Sequence, residues 1–314
     1  MSAKIRPLTK DDLPQARRIF SAAFGTFLGA PDPDHFWADR DYVYGRFGAE
    51  NVASFAAEID GEFVGSNFAT RWGSVGFFGP NTVDPKAQGR DMGKSLVEAV
   101  TNQFDEWGVK HGGLCTFPQS PLHIALYGKF GYRARFLTPI MAASARIVGD
   151  AGAWSRYSDL PEGQRREVER ASRELTDVLY DGLDLCAEIR TVSARGLGDT
   201  LLLWEGASRL AGFAVCHWGP ASEAGEGCCY VKFGAVRPGA GDAGRFEALL
   251  DACGSLAVAA GMPNVLAGVN LAREEAYLQM LARGFRAEAQ VVTMHRPNEA
   301  SYSRPGLYVL DDWR

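Results

Sequence analysis

The chain has 314 residues, enough for two average domains, and a net charge of −5 with basic residues scattered along its length. That balance argues against nucleic acid as a partner, and no apolar run approaches the ~18 residues of a membrane span. The opening stretch MSAKIRPLTKDD lacks the apolar core of a secretion signal, so a cytoplasmic protein is expected.

In chain order, TKDD (Thr9 to Asp12) has capping-box spacing, and Leu13, Ala16, Phe20, Ala23 and Phe27 follow with helical period. EFVGSNFATRW and SVGFFGPNTV read as strands joined by a Gly-Ser turn. Beyond Gly93 an amphipathic helix presents Leu96, Val97, Val100, Phe104 and Trp107 on one face and ends at Gly108. HGGLCTF is a short buried strand, SPLHIALYGKF a helix closed by Gly131, and YRARFLTPIMAA another strand. A charged helix from Glu162 to Tyr180 follows, with Val168, Ala171, Leu175 and Val178 on its buried side. DTLLLWEG and LAGFAVCHW form a hairpin, and CCYVKFGAV leads through a loop to a helix ending near Gly261. NVLAGVN, a helix and FRAEAQVVTMH complete the series.

The two halves repeat. VDPKAQGRDMGKSLVEA, from Val83, aligns with VRPGAGDAGRFEALLDA, from Val236. The same shift, without a gap, places LYGKFGYRARF on QMLARGFRAEA, so that Gly131 meets Gly284. Two copies of one fold are expected, over residues 1–144 and 145–314. The linker falls around 145–159, and the tail 296–314 packs on the body.

QGRDMGKS, Gln88 to Ser95, has only three residues between Gly89 and Gly93, one short of the nucleotide P-loop. A strand, a loop with small residues and a helix N-terminus still make an anion site, because backbone N–H groups point outward along the helix dipole. The alternative from the residues alone is an ordinary strand–helix turn.

TVDPKAQGRDMGKSL resembles the signature of the GNAT acyltransferase family, whose loop reads Gln/Arg-x-x-Gly-x-Gly/Ala. Gln88, Asp91 and Gly93 occupy its positions. ALYGKFGY resembles the family's fourth helix with its Tyr-x-x-x-Gly-Phe/Tyr ending, and the likeness spans residues 4 to 142. It implies an α/β (α+β) fold of two tandem lobes, each a mixed, mostly antiparallel twisted sheet flanked by helices. It also implies acetyl-CoA as co-substrate, without a metal. The pyrophosphate would lie on Gln88, Gly89, Arg90, Asp91, Met92, Gly93 and Lys94, and the pantetheine arm along Thr82 and Val83. Tyr127 matches the tyrosine that protonates the departing thiolate. A backbone N–H near Val83 would polarise the thioester carbonyl. Asp91 departs from the family's middle glycine and puts a carboxylate beside the phosphates.

The whole chain resembles bacterial tandem-GNAT proteins, in which often only one lobe is active. In the second lobe the loop reads Gly241, Ala243, Gly244 and Phe246, with Phe246 in place of Gly93 and Met280 in place of Tyr127. Phe246 would fill the pyrophosphate space or anchor its helix to the core. Tyr277, one turn before Met280, would pack or line a groove. Loss of cofactor binding in lobe two is the expectation.

For Tyr127 the plain alternative is a core tyrosine. His123, four residues before it on one helical face, would relay a proton or be a surface histidine. SVGFFGPNTV holds no acidic residue to act as base. Asp32, Asp34 and His35 belong to a loop that covers the acceptor site, where they bind a cationic amine or are simply solvated. The six cysteines include no C-x-x-C pair, and Cys115 reads as a core residue rather than a nucleophile. The adjacent Cys228 and Cys229 read as core residues, with a redox-active pair as the lesser alternative. The expected reaction is acetyl transfer to a small-molecule amine, by a monomer or homodimer. A non-catalytic acyl-CoA sensor or scaffold and O-acyl transfer stand as alternatives.

Overall fold

A computed structural model describes residues 3–148, 153–206 and 208–314. The first half runs β1 (Ala3–Pro7), α1 (Leu13–Leu28), β2 (Val52–Ile59), β3 (Glu62–Trp72), β4 (Val75–Phe78), β5 (Thr82–Val83), α2 (Met92–Glu106), β6 (His111–Thr116), α3 (Pro121–Gly128) and β7 (Arg133–Ser144). The second runs β8 (Ala153–Arg156), α4 (Glu162–Leu179), α5 (Cys186–Arg195), β9 (Gly198–Glu205), β10 (Arg209–Gly219), β11 (Gly225–Val236), α6 (Asp242–Ala259), β12 (Asn264–Gly268), α7 (Glu274–Ala282), β13 (Arg286–Arg296) and β14 (Val309–Asp311). The expected linker around 145–159 holds β8, and its residues 149–152 lie outside the described residues.

All the strands belong to one sheet, in the order β1-β2-β3-β4-β6-β13-β7-β12-β11-β10-β9-β8, with β5 on β3 and β14 on β11. The lobes exchange a strand at its centre. β13 lies between β6 and β7, while β7 pairs with β12. Local periodicity fixes which face of a strand is buried, but not which partner it takes.

Period-2 alternation divides the core between the two faces. In lobe one, Phe20 and Ala16 of α1 pack on Phe68, while Val97, Val100 and Phe104 of α2 pack beneath Ala69 and Phe78 on the other face. In lobe two, Phe213 and Val215 of β10 join Leu175 of α4 and Ile189 of α5, and Ala214 and Cys216 face α6. Trp72 and Phe77 of lobe one complete the α4–α5 cluster, so the two lobes share a core. Cys228 and Cys229 are free thiols on adjacent strand positions and therefore point to opposite faces.

Three buried histidines are held neutral. Desolvation lowers the pKa of His111 to about 4 and of His295 to about 3, and their rings meet with Nε2 of one 3.0 Å from Nδ1 of the other. His217 falls to about 4 by burial and the nearby Lys232. Each folded value lies below the unfolded one, near 6.5. The unfolded chain thus binds protons that the fold excludes, and stability is lost as pH falls from about 6.5 toward 4. Urea unfolding at pH 7.5 and pH 5 should show the drop, up to roughly 2 kcal/mol for each histidine. A midpoint unchanged between these pH values contradicts the assignment.

Candidate active site

The centre of lobe one is a split between parallel strands. β4 pairs with β6 from Val75↔His111 to Phe77↔Gly113 and then stops. β6 continues through Leu114, Cys115 and Thr116, paired on its far side with β13. Across the gap, Gly79 and Pro80 interrupt the strand, and β5 resumes on β3 with Gly65↔Val83 and Ser66↔Thr82. Asp84 donates its N–H to the Val64 carbonyl at 2.8 Å. Antiparallel alternation therefore turns the Val83 N–H away from β3 and into the gap.

The loop at the end of the gap has the form of an anion cradle. Gly89 and Asp91 both take left-handed conformations, with φ of 80° and 58°, and α2 starts at the next residue. Asp91 is exposed, and its carboxylate does not cap the helix, so the first N–H groups of α2 keep no side-chain partner there. Asp tolerates this backbone region better than most residues, which preserves the turn despite the missing glycine. Gln88, Arg90 and Lys94 are exposed around it, while Met92 is buried beneath. A Cβ placed on Gly93 would meet Val83 Cγ2 at 3.7 Å and Asn81 Nδ2 at 3.9 Å, so this residue faces the strand end across a narrow space.

Asn81 joins these parts and was not singled out from sequence. Its amide donates to the Gly93 carbonyl at 3.4 Å, and its buried Oδ1 has no partner. The side chain also meets Tyr127, whose pKa burial pushes up to about 12, with Asn81 opposing. Tyr127 is thus a buried, protonated phenol at the inner end of the split. His123 lies one turn earlier, its ring 6.5 Å from that of Tyr127, a packing distance rather than a hydrogen-bonded one. Burial lowers its pKa and its Nδ1 is unpartnered. Burial pushes the Cys115 thiol up to about 12, which disfavours the thiolate a nucleophile needs.

Residues 13–132 match the family model described as acetyltransferase (GNAT) family. The N-terminal lobe is a GNAT domain. The fold likeness extends over both lobes. A protein from Pyrococcus horikoshii, described as a candidate acetyltransferase, superposes with a TM-score of 0.69 at 14% identity, covering 99% of this chain and 95% of that one. A GCN5-related N-acetyltransferase from Sphaerobacter thermophilus gives 0.55 at 16%, covering 93% and 95%. A tandem GNAT protein from the clavulanic acid biosynthesis pathway gives 0.57 at 15%, covering 94% and 98%. No curated protein sequence matches the chain significantly.

The second GNAT-like lobe repeats the split in register. β11 pairs with β12 from Cys228↔Asn264 to Val231↔Ala267, the repeat counterparts of Val75 and His111 onward. Here the gap is filled. β14 pairs with β11 at Phe233↔Asp311, Gly234↔Leu310 and Ala235↔Val309, and a Cβ on Gly268 of β12 would fall 2.3 Å from the Asp312 Cβ. The tail thus packs on the body, as expected, and does so as a strand.

The lobe-two loop corrects the sequence alignment. The left-handed residue before α6 is Gly241 (φ 83°), with Gly239 (φ 110°) two positions earlier, as Gly89 precedes Asp91. Lobe one spends three residues on a 3-10 turn, Pro85–Ala87, where lobe two has a longer helix. Gly93 therefore matches Ala243 in geometry. Phe246 lies a turn inside the helix, fully buried against Tyr308 with ring centroids 5.2 Å apart, and acts as the core anchor. Met280 is buried, and Tyr277 packs on the same core.

In the loop with Asp32, Asp34 and His35 the structure shows the solvated alternative. Asp32 and His35 pair with each other at 2.8 Å and are exposed, while the following Phe36 and Trp37 turn toward α1. Gly25 allows that approach, since a Cβ there would lie 2.5 Å from Pro33 Cα. Arg17 fixes the loop by donating to the carbonyls of Trp37 and Arg40.

Lobe two reaches the lobe-one split through Arg46, which no local pattern marks. Its guanidinium donates to Glu223 Oε1 (2.7 Å), to the Gly79 carbonyl (2.5 Å) and to the Arg314 carbonyl. Lys232 bridges Glu223 (3.0 Å) and Glu188 (2.9 Å), and Trp72 Nε1 donates to Glu188. Burial opposes ionisation of Glu223, but Arg46 and Lys232 outweigh it and hold the carboxyl well below its usual range. Breaking such a pair from one side leaves a buried charge uncompensated, at a cost of about 3–5 kcal/mol. Arg46→Met should lower the urea unfolding free energy by that amount. A loss below about 1 kcal/mol would mean that the interface rearranges to solvate Glu223.

Proposed function

We propose that lobe one binds acetyl-CoA along its split and transfers the acetyl group to the amine of a small molecule, while lobe two binds no cofactor. One observation carries the reading: only the first split is open, and it has an inward N–H at Val83, an anion cradle at one end and a buried phenol at the other. Membership of an acetyltransferase family and the two-lobe likeness support it.

The residues fit the cofactor. The N–H groups opening α2, with Gln88, Gly89, Arg90, Asp91, Met92, Gly93 and Lys94 around them, would hold the pyrophosphate. Thr82 and Val83 would line the pantetheine arm. Acetyl-CoA supplies a thioester carbonyl open to attack and a thiolate leaving group. The Val83 N–H, already turned inward, would donate to the carbonyl oxygen as charge builds there. Tyr127 keeps its proton throughout the neutral range and would give it to the leaving sulfur. A neutral amine attacks directly, and its surplus proton leaves through water or through the neutral His123. Holding the two reactants together supplies much of the rate. Exposed Asp91 beside the phosphates favours a second reading, an acyl-CoA sensor without turnover.

Native mass spectrometry with acetyl-CoA tests the binding. One molecule per chain is expected, lost in Gly93→Phe, whose side chain would block the space between α2 and Val83. Two per chain would show that lobe two opens, and none would remove the reading. Tyr127→Phe should bind acetyl-CoA like the parent but release free CoA ~10²-fold more slowly or worse. Equal rates would make Tyr127 a core residue only.

A further inference from the structure

The mouth of the lobe-one split is walled by aromatic side chains from four separate segments. Phe24 and Phe27 come from α1, Trp37 from the loop after it, Phe117 from the end of β6, and His123 from α3. Their contacts form an unbroken series. Trp37 meets Phe24 at 5.2 Å between centroids, Phe24 meets Phe117 at 6.1 Å, and Phe117 meets Phe27 at 5.0 Å. Phe27 meets His123 at 4.9 Å, and His123 leads to Tyr127 at 6.5 Å. The series reaches solvent at Phe27, which is 41% exposed. The inner end is the phenol at the split.

Apart from the Arg40 guanidinium, which lies over the Trp37 ring 5.4 Å from its centroid, these side chains are apolar or neutral. Burial lowers the pKa of His123, so the imidazole is neutral at pH 7. The polar pair of the neighbouring loop, Asp32 and His35, is exposed and its members hydrogen-bond each other. A soluble protein has no packing reason to leave such a ring series half-open at a cleft, and exposed apolar patches of this kind mark binding sites.

We propose that the acceptor is a primary amine carried on an aromatic or extended hydrocarbon body, which these rings hold while the amine reaches the split. This rests on the acetyl-transfer reading given above. The amine nitrogen forms the new C–N bond, the C–S bond breaks, the thiolate takes the Tyr127 proton, and the amine's surplus proton passes to solvent, which returns a proton to the Tyr127 phenolate. The rings bind the body by apolar burial and offset stacking, and they offer a polyamine or an aminated sugar no partners for its additional polar groups.

Free CoA release by the full chain, with saturating acetyl-CoA, tests the class across ethylamine, 2-phenylethylamine and spermidine. The expected kcat/KM for 2-phenylethylamine exceeds that for ethylamine by at least ~30-fold, since each added apolar increment is worth ~10-fold or more in a fitted pocket. That ratio should collapse toward one in Phe117→Ala. Phe27→Ser, at an exposed position, gives the same readout without risk to the core. Preference for spermidine, or a ratio that neither variant moves, overturns the proposal. So does concentration-dependent dimerisation abolished by Phe27→Ser, which would make the rings a self-association face. Acetyl-CoA stoichiometry by native mass spectrometry separates the two failures. One bound cofactor with no apolar preference sinks only the acceptor class, whereas no bound cofactor sinks the transfer reading itself.

Discussion

A split inside a β-sheet exposes two strand edges in the middle of a protein, and their N–H and C=O groups must find partners there. An unpaired buried backbone group costs as much as a lost hydrogen bond or more. This chain contains two such splits, in repeat register, and settles them differently. In lobe two the chain's own β14 enters the wedge and pairs with β11. In lobe one the Gly79 carbonyl is taken by Arg46 and its N–H by the Phe68 carbonyl, while the Val83 N–H is left facing the gap. The difference between a closed lobe and an open one is thus a difference in how backbone polarity is satisfied.

The two solutions are mechanically linked. The tail that fills lobe two runs on to Trp313, which packs against Gly113 of β6, and to Arg314, whose carbonyl accepts from Arg46. Arg46 is held in turn by Glu223 and, through it, by Lys232 and Glu188 of lobe two. The strand exchange of β7 and β13 adds a continuous hydrogen-bonded path between the halves. Lobe two therefore acts on lobe one as a rigid support for the strand that turns at Gly79, whether or not it holds any ligand. Second-half residues that never approach the loop before α2 can for this reason affect the lobe-one split.

Much of this was legible in the sequence. The two halves repeat in the structure as in the sequence, since the parallel pairs Val75↔His111 and Cys228↔Asn264 are related by the same shift. The amphipathic spacing of α2 and the Tyr127 to Gly131 ending of α3 placed those helices correctly. The lobe-two loop was misaligned because an ungapped match cannot show three loop residues traded for a helical turn. Phe246 drew attention by standing opposite Gly93, whereas its burial follows from the helix that begins before it. β14 is three residues long and is a strand only because β11 offers it an edge. Arg46 and Glu223 lie far apart in sequence, and nothing local signals that they meet. The aromatic wall was half visible, since Phe27 marked the helix period, but Phe24, Phe117 and Trp37 join it only in space.

Proline explains why the lobe-one split stays open. Across the repeat, Gly79 and Pro80 stand where Lys232 and Phe233 stand in lobe two. β11 runs without a break through that point, and Phe233 is the first residue to pair with the inserted tail, opposite Asp311. Pro80 has no N–H to offer an incoming strand, so a segment entering the lobe-one gap loses a ladder bond at the position where pairing starts in lobe two. A ligand that needs only one inward N–H, such as that of Val83, does not incur this loss, whereas a β-strand does. The residue that denies an incoming strand this ladder bond thus leaves the first cleft less suited to a peptide backbone than the second.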